Sequence, residues 1–328
     1  MPESQEPTTA TPRDKRAQLA ELLRERASQA WRDTDLSEGQ RALWLLQRLA
    51  PDTVAYNLMA SAHIRGSLDV GALRRAFQAL TDRHESLRTT FPEREGAPLC
   101  RIHSSSQVAF VEIEGSSWSE EELRGWMEAQ ADEPFDLGAG PLFKTILIHR
   151  GSRDPVLLVL AHHIILDFWS IDLLLEELRL LHARELGIPV EVPPIAGVFS
   201  EYVQWQRGYL GGSEFQTSLD YWEGVIGDCP QILDLPTDRP RPNVQTYRGA
   251  LHEFDLEISL TARLRELARA EGVTLYTLLL SAFEIFIHRF SGQSEFLVGT
   301  PVGGRTRAEF ETVVGDFANP ICLRADCS

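Results

Sequence analysis

The apolar run PVLLVL (residues 155–160) leads, through one alanine, into the sequence HHIILDFWS (residues 162–170). A short, continuously apolar run is typical of a strand that is buried on both of its faces. Helical periodicity returns over residues 171–183. His163 is therefore expected on a loop between a buried strand and a helix, where a rigid frame holds a side chain that can face a cleft.

Strand-like and helical patterns are mixed along the rest of the chain. Ser37 and Gln40 fit a capping box at the start of a helix. The regular alternation of a doubly wound sheet is absent, so the pattern favours a two-lobed α/β sandwich. Strands are predicted near residues 59–64, 109–113, 142–149, 249–254, 296–300 and 321–324, and helices near 69–83, 120–131, 198–209, 213–226, 260–270 and 275–290.

Three stretches differ in composition and predict the domain organisation. Residues 1–35 combine a polar, disordered tail with an amphipathic helix over residues 13–30, which either packs on the domain or serves as a linker or docking helix to an upstream module. The segment LGIPVEVPP (residues 186–194) interrupts the pattern and marks the boundary between two lobes. The predicted lobes are residues 36–190 and residues 191–328.

Composition excludes several classes of function. The net charge of −16 disfavours nucleic acid as a partner, because a phosphate backbone demands basic surfaces. Four cysteines without metal-site spacing indicate a reducing compartment, so we expect a cytoplasmic protein. Since no stretch reaches the roughly 18 apolar residues of a membrane span, and the first residues lack the apolar core of a secretory signal, no membrane association is expected.

The histidine pair is the best candidate for chemistry. Imidazole suits proton transfer because its unperturbed pKa lies near neutrality, so His163 is a possible general base. His162 points the opposite way and is expected to support the loop from inside, while Asp167 fixes the loop shape. Ser170 could donate a hydrogen bond near a developing charge. A purely structural pair is the alternative. Metal binding is disfavoured because no third ligand stands at suitable spacing.

Five segments carry a resemblance to a known family, and the resemblance covers about residues 36–328. HHIILDFWS resembles the HHxxxDGWS signature of condensation domains of nonribosomal peptide synthetases and hybrid polyketide-peptide synthetases. The other four matches follow the family's order and spacing. They are LSEGQRALW (36–44) to SxxQxRLW, RHESLRTTF (83–91) to RHExLRTxF, SEYVQW (200–205) to YxDYAxW, and VGDFANP (314–320) to GxFVNT.

The resemblance implies a V-shaped pair of chloramphenicol-acetyltransferase-like lobes and an acyltransferase of secondary metabolism, as in antibiotic biosynthesis. Such a domain transfers an acyl or peptidyl group from a donor carrier protein to the amine of an acceptor on a downstream carrier protein. Both substrates ride on phosphopantetheine arms, so no cofactor is expected to bind directly. An adenylation domain is the expected neighbour. An arginine salt-bridges the signature aspartate in the family, which implies Arg305 for Asp167, with Arg324 as the alternative and Trp169 as further support.

Two departures from the family pattern bear on function. Phe168 replaces the family's glycine and adds bulk beside the substrate channel, to which Asn319 is also assigned by the resemblance. The sequence stops at Ser328 before the last two family motifs, so we expect the second lobe to be incomplete and leave activity open. Two alternative functions remain. One is an acyl-CoA-dependent O- or N-acyltransferase of the same superfamily, and the other is a catalytically silent domain that binds carrier proteins.

Overall fold

The apolar run before His162 is a strand in the middle of a four-stranded sheet in the computed structural model, which describes residues 30–243, 245–247 and 249–328. The strand pairs antiparallel with a neighbour on each side. The remaining pair of the sheet, formed by residues 109–114 and 144–149, is parallel. Leu158 at its centre is fully buried, as expected for a strand covered on both faces. In sheet order the strands are β2 (Asn57–His63), β9 (Val156–His162), β8 (Phe143–His149) and β7 (Ala109–Glu114).

A smaller sheet begins at a strand that the sequence did not predict. β1 (Trp31–Thr34) pairs antiparallel with β6 (Cys100–His103), which also pairs with β3 (Thr89–Thr90). The segment 1–35, assigned to a tail and linker, therefore ends in a strand of this sheet. The helix predicted over residues 13–30 lies outside the described residues except for its last residue. A short hairpin adds β4 (Glu93–Arg94) and β5 (Ala97–Pro98).

Side-chain caps determine where two of the helices begin. Ser37 accepts a hydrogen bond from the Gln40 N–H while the Gln40 side chain accepts one from the Ser37 N–H, so the predicted capping box is present. Asp167 caps the helix after the histidine pair, which therefore begins at Phe168 and not at residue 171 as predicted. The helices of this part are α1 (Glu38–Leu49), α2 (Val70–Arg83), α3 (Glu120–Ala131), α4 (Phe168–Glu185) and α5 (Phe199–Leu210).

The four-stranded sheet packs against α2 and α4 around an apolar core. Phe77 of α2, Leu147 of β8 and Leu181 of α4 are at most 1% exposed within it. A second cluster joins α5 to a segment that lies about a hundred residues later in the chain. Its buried members are Phe199, Tyr202, Val203, Phe310, Val313 and Phe317. A hydrogen bond from the Asp167 N–H to the Gly315 carbonyl oxygen places this late segment, Arg305–Phe317, beside the loop that follows the histidine pair.

The second part of the chain contains a two-stranded antiparallel sheet with a small core. Phe296 is fully buried there beside Ile287 and Ala325. The strands predicted over residues 296–300 and 321–324 are confirmed and are longer than predicted. The strand predicted over residues 249–254 is wrong, because these residues are all exposed and pair with no described strand. The elements are α6 (Ser213–Ile226), α7 (Ile258–Ala270), α8 (Leu275–Ser291), β10 (Glu295–Val302) and β11 (Asn319–Asp326).

The chain divides into two compact units. The first extends to Arg207 and includes Arg305–Phe317, and the second comprises Gly208–Gly304 and Ala318–Ser328. The predicted α/β class is confirmed. The first unit continues beyond residue 190, where the lobe boundary was expected, because the aromatic side chains of α5 pack on the late segment. The assignment of residues 36–190 and 191–328 to two lobes stays a prediction.

No single helix of the described ranges is long and apolar enough to cross a membrane. α7 and α8 reach the required length and composition only as a pair, and that pair is bent by 104° at its break.

Candidate active site

His163 lies at the point where β9 ends and a single 3₁₀ turn, His163–Ile165, begins. Its backbone N–H donates to the carbonyl oxygen of Tyr56 at 2.8 Å, which anchors the residue to the segment just before β2. Ile164 and Ile165 are almost fully buried and hold the turn against the core. The side chain of His163 keeps 21% of its surface exposed. The histidine therefore sits on a rigid support with one part of its ring accessible, as the strand-to-loop pattern predicted.

His162 points into the protein and is 1% exposed. Its Nδ1 accepts a hydrogen bond from the Ile164 N–H at 3.1 Å, and its ring meets those of Tyr56 and Phe135. Burial, with a smaller contribution from the nearby His163, lowers the pKa of His162 to about 4. The imidazole is thus neutral near pH 7. This geometry fits the expected support of the loop from inside and offers no route for a substrate to reach His162.

Asp167 and Arg305 form a buried, two-pronged ion pair. The Arg305 Nη1 lies 2.6 Å from Asp167 Oδ2, and its Nη2 lies 3.0 Å from Oδ1. Both side chains are at most 6% exposed. The Arg305 guanidinium also stacks on the Phe317 ring, 4.1 Å from its centroid, and the Phe317 N–H donates to Asp167 Oδ2 at 3.2 Å. The partner of Asp167 is therefore Arg305. Arg324 pairs instead with Asp228 and Glu295 of the second unit.

Ser170 belongs to the same network and is fully buried. Its Oγ accepts from the Gly315 N–H at 3.1 Å and from Arg305 Nη2 at 2.8 Å, and its hydroxyl donates to Asp167 Oδ1 at an oxygen–oxygen distance of 2.8 Å. The suggested role of Ser170 as a donor to a developing charge does not fit this placement. Its hydrogen-bonding capacity is used inside the protein, so Ser170 supports the loop.

Asp316 is one of two residues of this site that the sequence did not single out. Its Oδ1 lies 3.2 Å from Nδ1 of His163, and its side chain is only 3% exposed. Burial lowers the pKa of His163, but its interactions with Asp316, followed by the hydrogen bond of the ring to its own backbone and the charge of Asp167, together offset that effect, and the pKa is raised overall. A carboxylate inside an otherwise apolar motif was the available signal. Its burial against His163 depends on the fold and could not be read from spacing.

Gln40 of the opening motif was also missed as a site residue. Its side-chain Nε2 donates to the Ile164 carbonyl oxygen at 3.1 Å, while its Oε1 accepts from the Ser37 N–H. One side chain therefore closes the capping box of α1 and ties α1 to the turn that carries His163. The capping pattern was visible in the sequence, but the long-range bond was not.

Two exposed aromatic residues follow the signature aspartate. Phe168 is 68% exposed, and its ring meets the edge of His163 at a centroid distance of 6.3 Å and an angle of 85°. Trp169 is 57% exposed, and its Nε1 donates to the Glu311 carbonyl oxygen at 3.2 Å. The assignment of Trp169 to loop support is compatible with that bond.

Asn319, which the resemblance assigns to the substrate channel, is exposed at the start of β11, where it pairs with Val302 of β10.

The described residues offer little support for metal-ion or thiol chemistry. Within residues 30–243, 245–247 and 249–328, no group of three or more His, Cys, Asp or Glu side chains is arranged to hold a metal ion. Cys100 is buried, and desolvation raises the pKa of its thiol to about 11, which disfavours the nucleophilic thiolate. The geometry thus places a partly exposed imidazole on a loop that the Asp167–Arg305 ion pair locks.

Comparison with known proteins assigns the chain to a family. The family model for the condensation domain matches residues 32–328, and the chain belongs to the condensation domain family. Members of this family that occur in nonribosomal peptide synthetases are amide-bond-forming acyltransferases. The resemblance stated from five sequence segments is confirmed.

Known relatives and solved structures agree with that assignment. One of the linear gramicidin synthase proteins of Brevibacillus parabrevis is 40% identical over 300 residues, covering 89% of this chain and 6% of that protein. Phosphinothricin tripeptide synthetase PhsC of Streptomyces viridochromogenes is 38% identical over 295 residues, covering 88% of this chain and 27% of the relative. A crystal structure of a holo four-domain nonribosomal peptide synthetase bound to AMP and glycine matches with a TM-score of 0.80 and 26% identity, covering 91% of this chain and 23% of the other. The chain thus spans less than a third of each.

Proposed function

We propose that this chain joins two carrier-bound substrates by an amide bond, with His163 accepting the proton of the attacking amine. In this reaction the amine nitrogen attacks the thioester carbonyl carbon, a C–N bond forms and the C–S bond breaks. The amine loses a proton to His163 Nε2, which can return it to the departing thiolate. The observation that carries the proposal is the contact of His163 Nδ1 with the buried Asp316 in a side chain that is still 21% exposed, because a ring whose Nδ1 faces a carboxylate keeps its basic lone pair on Nε2.

Positioning supplies much of the rate in this proposal. An amine held beside a thioester is already a competent nucleophile. Tethering both substrates raises the effective concentration of the amine at the thioester, and this lowers the activation barrier of the attack without any help from proton transfer. The locked loop around Asp167 and Arg305 contributes by keeping the imidazole in one orientation. His163 then acts as a base that is in place before the substrates arrive.

The partners belong to the same proposal. We infer donor and acceptor carrier proteins that present their substrates on phosphopantetheine arms, with an adenylation domain as a neighbour. Support comes from the relatives, which are named as synthetases, and from the match to a four-domain nonribosomal peptide synthetase. A cytoplasmic location stays a prediction from cysteine usage and composition.

The experiment is a condensation assay between two loaded carrier proteins. The donor carries an N-acetyl-aminoacyl group, the acceptor carries an aminoacyl group, and a small panel of each is tested. His163→Ala is expected to lower the rate by about 10²- to 10⁴-fold, the range that a general base contributes. His63→Ala is the matched control, because His63 is exposed at the end of β2. Undiminished product from His163→Ala would contradict the role of His163 as base, and turnover with free acyl-CoA alone would favour the acyl-CoA-dependent alternative.

One observation favours a second candidate function, a silent domain that binds carrier proteins without turnover. The Phe168 ring lies against the edge of His163 at the position where the family has glycine, so it can obstruct access to the imidazole. Under this alternative Phe168→Gly should create or raise condensation activity by removing that bulk. If the wild-type chain already condenses the panel and Phe168→Gly does not accelerate it, the silent alternative is excluded.

A further inference from the structure

Asp316 is held in place by its neighbours on both sides. The Asp167 N–H donates to the Gly315 carbonyl oxygen at 3.2 Å, and the Phe317 N–H donates to Asp167 Oδ2 at 3.2 Å. One residue earlier, the Val314 carbonyl oxygen accepts from Ser86 Oγ at 2.7 Å. The backbone around Asp316 is thus bonded to the same signature loop that carries His163, and the distance between the two side chains is set by a rigid frame.

A buried carboxylate beside one imidazole nitrogen has two chemical consequences. It favours the tautomer that carries its proton on that nitrogen, which leaves the lone pair on the other nitrogen. It also stabilises the imidazolium that forms when the ring accepts a proton, because the opposite charge lies close by and is itself buried. Both effects apply to His163, whose Nδ1 is the nitrogen facing Asp316.

We propose that Asp316 is a positioning residue for the condensation reaction, holding His163 as the Nδ1–H tautomer with Nε2 free and stabilising the imidazolium. The proposal rests on the function proposed above for His163. It assigns separate tasks to the two aspartates of the site. Asp167 locks the loop through Arg305, whereas Asp316 acts on the ring of His163.

The other ionisable groups around His163 are compatible with this division. His162 precedes it on β9 and is neutral near pH 7, since burial holds its pKa at about 4. Asp167, on the far side of the turn, has its charge matched by Arg305 and contributes least to the raised pKa of His163. Tyr202 of α5 has a raised pKa, from burial and then from the charge of Asp316, and so stays neutral. Asp316 is therefore the main source of negative charge acting on the imidazole.

The first test is NMR of the wild-type chain labelled with ¹⁵N-histidine, which reports the tautomer and the pKa of His163 without any substrate. His163→Gln identifies the signals. Above its pKa, the His163 ring is expected to carry its proton on Nδ1. A ring that carries its proton on Nε2 would overturn the proposal, whatever any variant does to folding or activity.

The second test compares Asp316→Asn with Asp172→Asn, an exposed aspartate on α4. The shape-conserving change at Asp316 should lower the pKa of His163 by about 1 unit or more, the scale of a neighbouring opposite charge. In the carrier assay kcat should fall about 10- to 100-fold with little change in KM, as when a partner orienting a functional histidine is removed. Asp316→Glu should recover part of the loss, and Asp172→Asn should behave as wild type.

The pH profile separates a positioning role from a merely structural one. Condensation requires the neutral imidazole, so the rate rises with pH through the pKa of His163, and Asp316→Asn should move this rise to lower pH. An unchanged pKa of His163 in Asp316→Asn would contradict the role of Asp316. If His163→Ala keeps full activity while NMR shows the Nδ1–H tautomer, then the proposed base fails and the contact with Asp316 stands, so the two failures are distinguishable.

Discussion

At the scale of single residues, the two adjacent histidines have opposite environments. His162 is enclosed by rings and is neutral because burial lowers its pKa to about 4, whereas His163 is partly exposed and has its pKa raised. The alternation of side chains along a strand accounts for the difference, since successive residues point to opposite faces. Burial alone therefore shows which histidine is available to a substrate.

The low pKa of His162 predicts a pH-dependent stability. The unfolded histidine binds a proton below pH 6.5 and the folded one only near pH 4, so the unfolded state holds more protons in between. Stability from this residue is therefore complete above pH 6.5 and is lost as the pH falls toward 4, by an amount on the order of 3 kcal/mol. Urea unfolding at pH 7.5 and pH 5 measures the change.

A variant isolates this contribution from that of the carboxylates. His162→Gln removes the titrating group, so its stability should fall less between the two pH values than that of the wild type. Equal losses in both proteins would show that His162 is not the source.

At the scale of elements, the site depends on one ion pair that joins the late segment, Arg305–Phe317, to the signature loop. Breaking a buried pair by removing one partner leaves the other charge unpaired, which typically costs about 3–5 kcal/mol. Arg305→Ala should therefore lower the free energy of unfolding of the first unit by this amount and disorder His163. Thermal or urea unfolding checks the first effect, and the His163 NMR signal checks the second.

An exposed ion pair provides the matched control for that prediction. Arg179 pairs with Glu176 on α4, and both side chains are more than 60% exposed. Arg179→Ala is expected to leave the free energy of unfolding almost unchanged, because solvent screens such pairs. If Arg305→Ala were equally mild, the late segment would have to be held by its aromatic cluster alone.

Helices and strands could be predicted from the sequence where a local pattern of residues is enough to determine them. The buried strand β9 and the cap of α1 followed from a continuous apolar run and from the Ser37–Gln40 spacing. β1 was missed because its residues Trp31–Thr34 are mostly polar and become a strand only by pairing with β6. A strand was also predicted near residues 249–254, yet Leu251 is 84% exposed and the segment pairs with no strand among the described residues.

The site shows the same division between local and long-range information. Asp167 and Arg305 were paired through the resemblance to the family, which supplies a long-range contact that spacing cannot. Asp316 and Gln40 were overlooked because their roles arise from a contact with His163 and a hydrogen bond to Ile164 that exist only in the folded protein. Ser170 was misjudged for the converse reason, since its place at the start of α4 turns its hydroxyl inward.

At the scale of the whole molecule, the two units differ in how much apolar surface they bury. The first has an extended core around its four-stranded sheet, with the histidine loop at the end of β9. The second has a small described core and leaves large apolar side chains exposed, among them Ile258 at 90% and Phe254 at 74%. All residues placed at the reaction centre, His163, Asp316, Asp167 and Arg305, belong to the first unit. The residues of the proposed proton transfer therefore all lie in that unit.

The central claim is that His163 takes the proton of a carrier-bound amine as the amide bond forms. Its most direct test is the mass of the intact acceptor carrier protein after one round of reaction with a loaded donor. With the wild-type chain the acceptor should gain the mass of the donor acyl group, and with His163→Ala this gain should slow by about 10²-fold or more while His63→Ala matches the wild type. Equal rates of mass gain with His163→Ala and the wild type would contradict the account.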